Sequence, residues 1–302
     1  MEVLARLLEK FAPAIFVLLW STGFIGAKLG LPHVEPFTFL SLRMLIVVAI
    51  LAPVVFFFVK KRTTPALFMH SMIVGILVHA VYLGGVFFAI SRGMSAGVAS
   101  LVVALQPLLT VFIARAMLGE RMTARQVTGL IVALAGVILV LSPRIFGGTA
   151  LHGLSWVTLS AVTASVIGIS FGSVYQKRFA TGIDIRVATL AQYLGSLIPL
   201  GLLSLLTETR QVEWTLELVI AMAWLVIVLS IGAVSLLMFL IRRDSAGSTA
   251  TLFYLVPVFT ALIAWVMFGE TLQPVQFAGM ALVISAIAYG MKKPASRPAV
   301  RS

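Results

Sequence analysis

The sequence predicts an all-α polytopic membrane protein of ten transmembrane helices, arranged as two inverted five-helix repeats. Three observations predict this fold. The first is composition: 61% of the 302 residues are hydrophobic and 11% are charged, and the mean hydropathy is +1.11. The second is the length of the apolar stretches, which matches the roughly 20 residues that cross a bilayer core. The third is a segment that recurs later in the chain.

The apolar stretches follow one another from Phe11 to Met291, separated by short turns rich in proline, glycine and charge, and they leave almost nothing for a soluble domain. Only about ten residues precede the first stretch, so we expect a retained helix and not a cleaved signal peptide. We place the spans at about residues 12–31, 36–58, 66–90, 96–118, 122–141, 153–175, 185–206, 217–241, 247–268 and 273–291.

The basic residues predict the orientation of these spans. An even number of spans puts both termini on one side, and that side holds sixteen of the 22 lysines and arginines, against three opposite and three within spans. The positive-inside rule then places both termini in the cytoplasm, in a bacterial inner membrane. The net charge of +12 follows from this orientation and attracts anionic lipid. We expect membrane lipid, and no nucleic acid, as a partner.

An internal repeat divides the chain. Residues 95–129 align without gaps on residues 245–279, an offset of 150 residues. The identities include Pro107/Pro257, Thr110/Thr260, Met117/Met267, Gly119-Glu120/Gly269-Glu270 and Gly129/Gly279. Because each half has five spans, the second half enters the membrane from the other face. Inverted repeats are typical of secondary transporters, whose solute site lies between the halves. The expected halves are residues 1–145 and residues 146–302, the second with a short basic tail.

The chain lacks the residues that several kinds of chemistry require. There is no cysteine, the four histidines lack metal-ligand spacing, and no phosphate loop or serine–histidine–acid arrangement is present. We therefore expect no metal, no cofactor and no enzymatic activity. All ten acidic residues lie at span ends or in loops, which disfavours a proton relay through a buried carboxylate. A facilitator, an exchanger and an antiporter stay open.

Two sets of motifs resemble a known family, the EamA-type transporters of the drug/metabolite transporter superfamily. The first is LLWSTGFIGAKLGL (residues 18–31) followed by Arg43 in LSLRML, and the second is the pattern shared by Pro107–Gly129 and Pro257–Gly279. The resemblance covers nearly the whole chain. It implies ten helices around a central cavity formed by spans 1, 3, 4, 6, 8 and 9, with alternating access. The family exports amino acids and related metabolites, drug-like cations and other small solutes.

Aromatic and neutral polar side chains at mid-depth are the candidate walls of that cavity. They are Trp20, Ser21, His79, Tyr82, Gln106, Ser170 and Tyr254. This set suits a zwitterionic or neutral amphipathic solute. His79 in a bundle is equally well explained as an interhelical hydrogen-bond partner. Lys28, near the external end of span 1, is predicted to meet a substrate carboxylate, and the alternative is that it snorkels to the interface.

Two prolines are expected to interrupt their spans. Pro107 and Pro257 lie near the middle of spans 4 and 9, where proline removes a backbone hydrogen bond and kinks the helix. Matched breaks in the two halves of a transporter point to the solute site and to gating. Packing alone explains a kink equally well, and both interpretations stay open.

Three charged residues are assigned structural roles. Glu120 and Glu270 follow Gly119 and Gly269, and each is expected to cap the start of the next helix, an interpretation we favour over a gate. Arg43 has no acidic residue in its span. It is expected to cap backbone carbonyls of span 1 or of the turn that follows.

The predicted function is a secondary transporter that exports amino acids or related small metabolites by alternating access. One alternative is efflux of drug-like or cationic compounds, against which the lack of a buried carboxylate counts. The other is a non-transporting membrane subunit or lipid-handling helper, which a sealed apolar interior would favour. The expected partner is a small-molecule solute, and the sequence leaves a monomer and a homodimer open.

Overall fold

A computed structural model describes residues 2–60, 63–94, 96–146, 153–268 and 272–291. These residues are helical or lie in short turns, apart from one antiparallel bridge between Val34 and Val212. The helices are α1 (Glu2–Ser21), α2 (Gly23–Gly30), α3 (Pro36–Phe58), α4 (Pro65–Ser91), α5 (Ala96–Val103), α6 (Gln106–Leu118), α7 (Ala124–Phe146), α8 (Trp156–Phe179), α9 (Ile185–Thr207), α10 (Leu216–Arg243), α11 (Ala246–Thr251), α12 (Leu255–Phe268) and α13 (Pro274–Met291).

The all-helical membrane fold predicted from the sequence is confirmed. Among the described residues, eight helical stretches are long and apolar enough to cross a membrane. Two shorter apolar helices, Phe11–Ser21 and Pro274–Gly290, coincide with the first and last predicted spans. Large apolar side chains cover the outside of the bundle, among them Phe56, Trp156 and Leu206, each at least 80% exposed. Such a surface suits lipid as its solvent.

Each of the two prolines follows an interruption in its span. The chain leaves helical geometry at residues 104–105, just before Pro107, so that α5 and α6 are separate helices. A 3₁₀ turn, Leu252–Tyr254, separates α11 from α12, just before Pro257. Proline has no N–H, so the carbonyl four residues earlier loses its helical partner and the turn above it opens.

The helices α4 and α10 each contain a wide π-type turn, Ile76–Leu83 in the first and Leu225–Ala233 in the second. The two turns are separated by the same offset of about 150 residues as the repeated segment. Insertions of this kind recur at functional sites because they displace side chains from regular helical spacing. The sequence analysis did not predict them.

Two helix pairs are packed so closely that their backbones touch. A Cβ atom on Gly75 of α4 would lie 1.9 Å from the backbone oxygen of Gln192 in α9. A Cβ atom on Gly279 of α13 would lie 2.7 Å from the backbone oxygen of Gly136 in α7. Small residues permit such contact between membrane helices. The α4–α9 and α7–α13 pairs are therefore in close backbone contact.

Candidate functional site

The two ends of the bundle differ in charge. One end, here the basic end, carries lysine and arginine at the ends of α3, α8 and α10 and in the turn between α6 and α7. The other end, here the loop end, contains residues 31–35 between α2 and α3 and residues 208–215 between α9 and α10. The side chains between these ends form the candidate site.

A small central cavity contains the only arginine side chain that is fully inside the described part of the bundle. This arginine cavity has a volume of about 40 Å³ and lies between α1–α4 and α10. It is lined by Trp20, Gly23, Arg43, His79, Tyr82, Leu83, Val86, Phe87, Leu229 and Val234. Arg43 is 3% exposed.

A second central cavity adjoins the two helix interruptions. This break cavity has a volume of about 60 Å³. It is lined by Trp20, Tyr82, Ser100, Val103, Ala104, Leu141, Phe253, Val256, Pro257 and Thr260. Trp20 and Tyr82 line both cavities and separate one from the other. The structure thus brings three predicted residues together here: Trp20, Tyr82 and Pro257.

Both central cavities are small. Cavities of 40 and 60 Å³ hold only a few water molecules. Two larger openings, about 350 Å³ at the basic end and about 990 Å³ at the loop end, share no lining residue with either of them. The two central cavities and the two larger openings are therefore lined by separate sets of described residues.

Arg43 has a different neighbour from the one expected. The sequence favoured backbone carbonyls of span 1 or of its turn, whereas the Nε of Arg43 donates to the hydroxyl of Ser230 in α10, at 2.8 Å. The hydroxyl of Tyr193 in α9 donates to the backbone oxygen of Ser230 at 3.2 Å. The expectation was wrong, because the Nε of Arg43 binds a side-chain hydroxyl in the π-type turn of α10.

His79 lies beside this arginine. Its ring stacks on that of Tyr193, with centroids 4.6 Å apart and planes 21° apart. The side chain is 1% exposed, and its Nε2 atom has no hydrogen-bond partner. His79 also lines the arginine cavity, beside Arg43.

Three predicted residues are buried but line neither central cavity. The hydroxyl of Ser21 donates to the backbone oxygens of Val17 and Val256, at 2.7 and 3.3 Å, and so ties α1 to α12. Ser170 of α8 donates to the backbone oxygen of Gln106 at 3.2 Å. The Gln106 amide in turn donates to the hydroxyl of Thr110 at 3.1 Å. In this conformation these groups join helices next to the proline breaks.

Tyr254 lies away from the central cavities. It lines the opening of about 350 Å³ at the basic end, and its hydroxyl has no hydrogen-bond partner. Pro107 is buried near the start of α6 and lines neither central cavity. Lys28 belongs to α2, but its side chain lies outside the described residues, as do Gly269 and Glu270.

At the loop end, two neighbouring chain segments each contribute a carboxylate that accepts hydrogen bonds from the other segment. The carboxylate of Glu35 accepts hydrogen bonds from the backbone N–H and hydroxyl of Thr209, at 2.7 and 2.8 Å, and from the backbone N–H of Arg210 at 3.0 Å. Glu208 accepts from the backbone N–H groups of Phe37 and Thr38, at 2.7 and 2.6 Å, and from the Thr38 hydroxyl at 2.7 Å. We call this arrangement the reciprocal clamp.

The reciprocal clamp changes the acidity of Glu35. The hydrogen bond from the Thr209 hydroxyl is the largest influence, and with the two backbone N–H bonds it holds the pKa of Glu35 below its ordinary value. Glu208 binds the first free N–H groups of α3, where a carboxylate also interacts favourably with the helix dipole. Both carboxylates therefore stabilise the contact between the two loop segments.

A second clamp, here the lysine clamp, lies at the basic end. The carboxylate of Glu120 accepts from the backbone N–H groups of Ala246 and Gly247, at 3.1 and 3.4 Å. It also lies 3.4 Å from the ammonium of Lys177, which donates to the backbone oxygen of Asp244. The prediction that Glu120 caps the next helix was wrong, because it caps α11 of the other half and not α7. Gly119 ends α6 with φ 67°, a left-handed conformation that turns Glu120 toward α11.

The sequence analysis missed Tyr193 and Ser230, the two residues that hold Arg43. One signal was available: Tyr193 follows Arg43 by 150 residues, the offset of the repeat. Repeat counterparts in an inverted pair are placed to meet near the centre. A polar pair at this offset was therefore a candidate contact.

Comparisons with known proteins agree with this architecture. A protein of Salmonella typhimurium named "Probable amino-acid metabolite efflux pump" is 26% identical over 289 residues, which cover 92% of this chain and 93% of that protein. A "Probable terminal-alkyne amino-acid exporter" of Streptantibioticus cattleyicolor is 34% identical over 217 residues, 68% of this chain and 69% of that one. An uncharacterized inner membrane transporter of Escherichia coli (strain K12) is 25% identical over 286 residues, 93% of this chain and 90% of that protein.

A solved crystal structure has the same fold, with a TM-score of 0.76 at 23% identity over 93% of this chain and 96% of that chain. The sequence profile of one family, described as the EamA-like transporter family, matches this chain twice, at residues 11–142 and 154–289. The resemblance predicted from the motifs is confirmed: the chain belongs to the EamA-like transporter family.

Proposed function

We propose that this protein is a secondary transporter of the bacterial inner membrane that exports amino acids or related small metabolites by alternating access. The observation that carries the proposal is the pair of small central cavities, both lined by Trp20 and Tyr82, in a chain of a transporter family. Aromatic faces beside a few polar groups are the usual lining of a small-molecule site.

The arrangement of ten helices as two inverted repeats is part of this proposal. It is supported by the two family matches, residues 11–142 and 154–289, and by the recurrence of the π-type turns and helix interruptions at nearly the same offset. Interrupted helices at corresponding positions of two halves characterise transporter sites. The basic end is cytoplasmic in this scheme, following the distribution of lysine and arginine.

The proposed substrate class has two supports. The printed names of two relatives include amino-acid metabolite efflux and amino-acid export. In addition, the described part of the central cavities contains hydroxyl, imidazole, indole and guanidinium groups but no carboxylate. Without a carboxylate the site has no counter-charge for a purely cationic drug, so we favour amino acids over the drug-efflux alternative.

Transport into proteoliposomes tests the proposal. The purified protein is reconstituted and assayed against a panel of labelled amino acids and small metabolites, with and without a pH gradient. We expect counterflow of at least one amino acid, and loss of most of that flux in Trp20→Ala. Trp156→Ala is the matched control, because Trp156 is 88% exposed on the outer surface, and it should transport like the parent. No flux of any panel member, with correctly folded protein, would overturn the proposal.

A further inference from the structure

We propose that Arg43 is the anion-binding residue of the arginine cavity, so that a substrate must carry a carboxylate or a comparable oxyanion. The inference rests on the proposed transport function and names its substrate class. Arg43 is the eighth residue of α3, about 10 Å from the loop end by helix rise. It is 3% exposed and lines the arginine cavity.

The charge of Arg43 has no ionic partner within the described part of the chain. Each of the seven acidic side chains described there contacts other groups, at one end of the bundle or the other. They are Glu35 with Thr209, Glu208 with Thr38, Glu213 and Glu217 with His33, Glu120 with Lys177, Asp184 with Arg186, and Asp244 with Arg243. A buried charge in a membrane protein is costly unless it is paired, and it marks a functional position by default.

The immediate neighbours of Arg43 are neutral. Ser230 accepts the Nε hydrogen at 2.8 Å, and the hydroxyl of Tyr193 lies close enough to interact with the guanidinium. Hydroxyl groups orient a guanidinium but do not neutralise it. Arginine presents five N–H donors in a planar fork that matches the two oxygens of a carboxylate. A carboxylate in the adjoining cavity would supply the missing counter-charge.

A second observation points to a ligand in the same place. His79 lines the cavity, is 1% exposed, and has no partner at its Nε2 atom. Buried polar atoms without partners are uncommon in folded proteins. In the tautomer with hydrogen on Nε2, His79 would donate to the same oxyanion as Arg43. Stacking on Tyr193 fixes the ring in this orientation.

The cavity also indicates what the rest of the substrate is like. Trp20 and Tyr82 line the arginine cavity together with Arg43 and also line the break cavity. An ammonium group can rest on aromatic faces without a carboxylate partner. A zwitterion therefore fits with its carboxylate at Arg43 and its ammonium toward Trp20 and Tyr82. An anion without an ammonium fits as well, whereas a simple cation gains the aromatic contact but is repelled by Arg43.

Charge-matched ligands test this inference. The probes are L-phenylalanine, its amide and its N-acetyl derivative, with the same three forms of L-alanine so that side-chain size does not decide the result. Binding is measured as the thermal shift of the purified protein. We expect the ligands that carry a carboxylate, whether free acids or N-acetyl derivatives, to bind more tightly than the amides. The expected difference is about tenfold or larger. Amides that bind as tightly as the acids would overturn the inference and leave the transport proposal standing. No shift with any of the six would also overturn it.

Variants of Arg43 make the test specific to that residue. Arg43→Gln should lose the preference for acid over amide, while Ser230→Ala, which removes the Nε acceptor and leaves the charge, should keep it. If Arg43→Gln does not fold, Arg43→Lys takes its place; it should keep the preference with a several-fold weaker affinity for the acids. A folded Arg43→Gln protein that still prefers acids would place the anion elsewhere, even if transport of the amino-acid panel is normal.

Discussion

The two clamps lie at opposite ends of the bundle and differ in their chemistry. At the loop end, two carboxylates, Glu35 and Glu208, are bound by backbone N–H and hydroxyl groups at 2.6 to 3.0 Å. At the basic end, the carboxylate of Glu120 accepts two longer hydrogen bonds from backbone N–H groups and forms an ion pair with Lys177. The first clamp depends on hydrogen bonds to fixed dipoles, and the second depends in part on an ion pair.

Both clamps join the proposed first half, residues 1–145, to the second. Glu35 and Thr38 belong to the first half, and their partners Thr209 and Glu208 belong to the second. Glu120 likewise reaches across to α11. Under alternating access, opening either end breaks the clamp at that end and keeps the other. The shorter and more numerous bonds at the loop end predict that the basic end opens more readily.

The largest expected effect is a change in which end opens. The chain has no cysteine, so a single Val86→Cys substitution in the arginine cavity reports access to it. In that background, Glu208→Gln should raise the labelling of the introduced thiol by a membrane-impermeant reagent added outside intact cells. Glu120→Gln should raise labelling from the cytoplasmic side, in inverted vesicles. Loss of about 1 kcal/mol from either clamp corresponds to about a fivefold faster rate.

The parent chain with Val86→Cys alone is the control for both variants, and permeabilised cells give the maximum labelling. If both substitutions raise labelling from the same side, the two clamps do not control access to the cavity from different ends. If each acts from the side opposite to the one stated, the orientation that we propose from the basic residues is reversed.

Local rules predicted part of this architecture. Proline acts on the helix that contains it, so the interruptions before Pro107 and Pro257 could be located from the sequence. His79 and Tyr82 were expected among the mid-depth walls of the central cavity, and both line the arginine cavity. Trp20 was expected at mid-depth and also lines it. Such features depend on neighbours within a few turns.

Contacts between distant segments could not be predicted in the same way. Ser230 lies 187 residues after Arg43, and Ala246 lies 126 residues after Glu120. No periodicity connects such positions, because the packing of α3 on α10 and of the α6–α7 turn on α11 is decided by the whole bundle. The motif around Glu120 therefore indicated a capping role but not which helix is capped.

A smaller effect should appear in thermal stability. Glu208→Ala removes three short hydrogen bonds at the start of α3 and is expected to cost about 2 kcal/mol, whereas Glu120→Ala is expected to cost about 1 kcal/mol. The measurement is the apparent Tm of the purified protein in detergent at low salt and at about 1 M salt, where the Debye length is about 3 Å. The deficit of Glu120→Ala should shrink at high salt, because Lys177 is then screened, and that of Glu208→Ala should persist. Equal salt dependence of the two deficits would contradict the chemical difference between the clamps.

The smallest effect concerns pH at the loop end. Because hydrogen bonds hold the pKa of Glu35 below its ordinary value, the stabilisation it provides is present above its unfolded pKa and is lost as the pH falls through the lowered folded value. Thr209→Val removes the largest of these influences, so the pKa of Glu35 rises and the stability contributed by the clamp is lost at a higher pH. The measurement is the apparent Tm as a function of pH. Thr207→Val is the matched control, since the Thr207 hydroxyl donates to the backbone oxygen of Leu203. If the two variants shift the acid limb of the curve equally, the Thr209 hydroxyl does not set the acidity of Glu35.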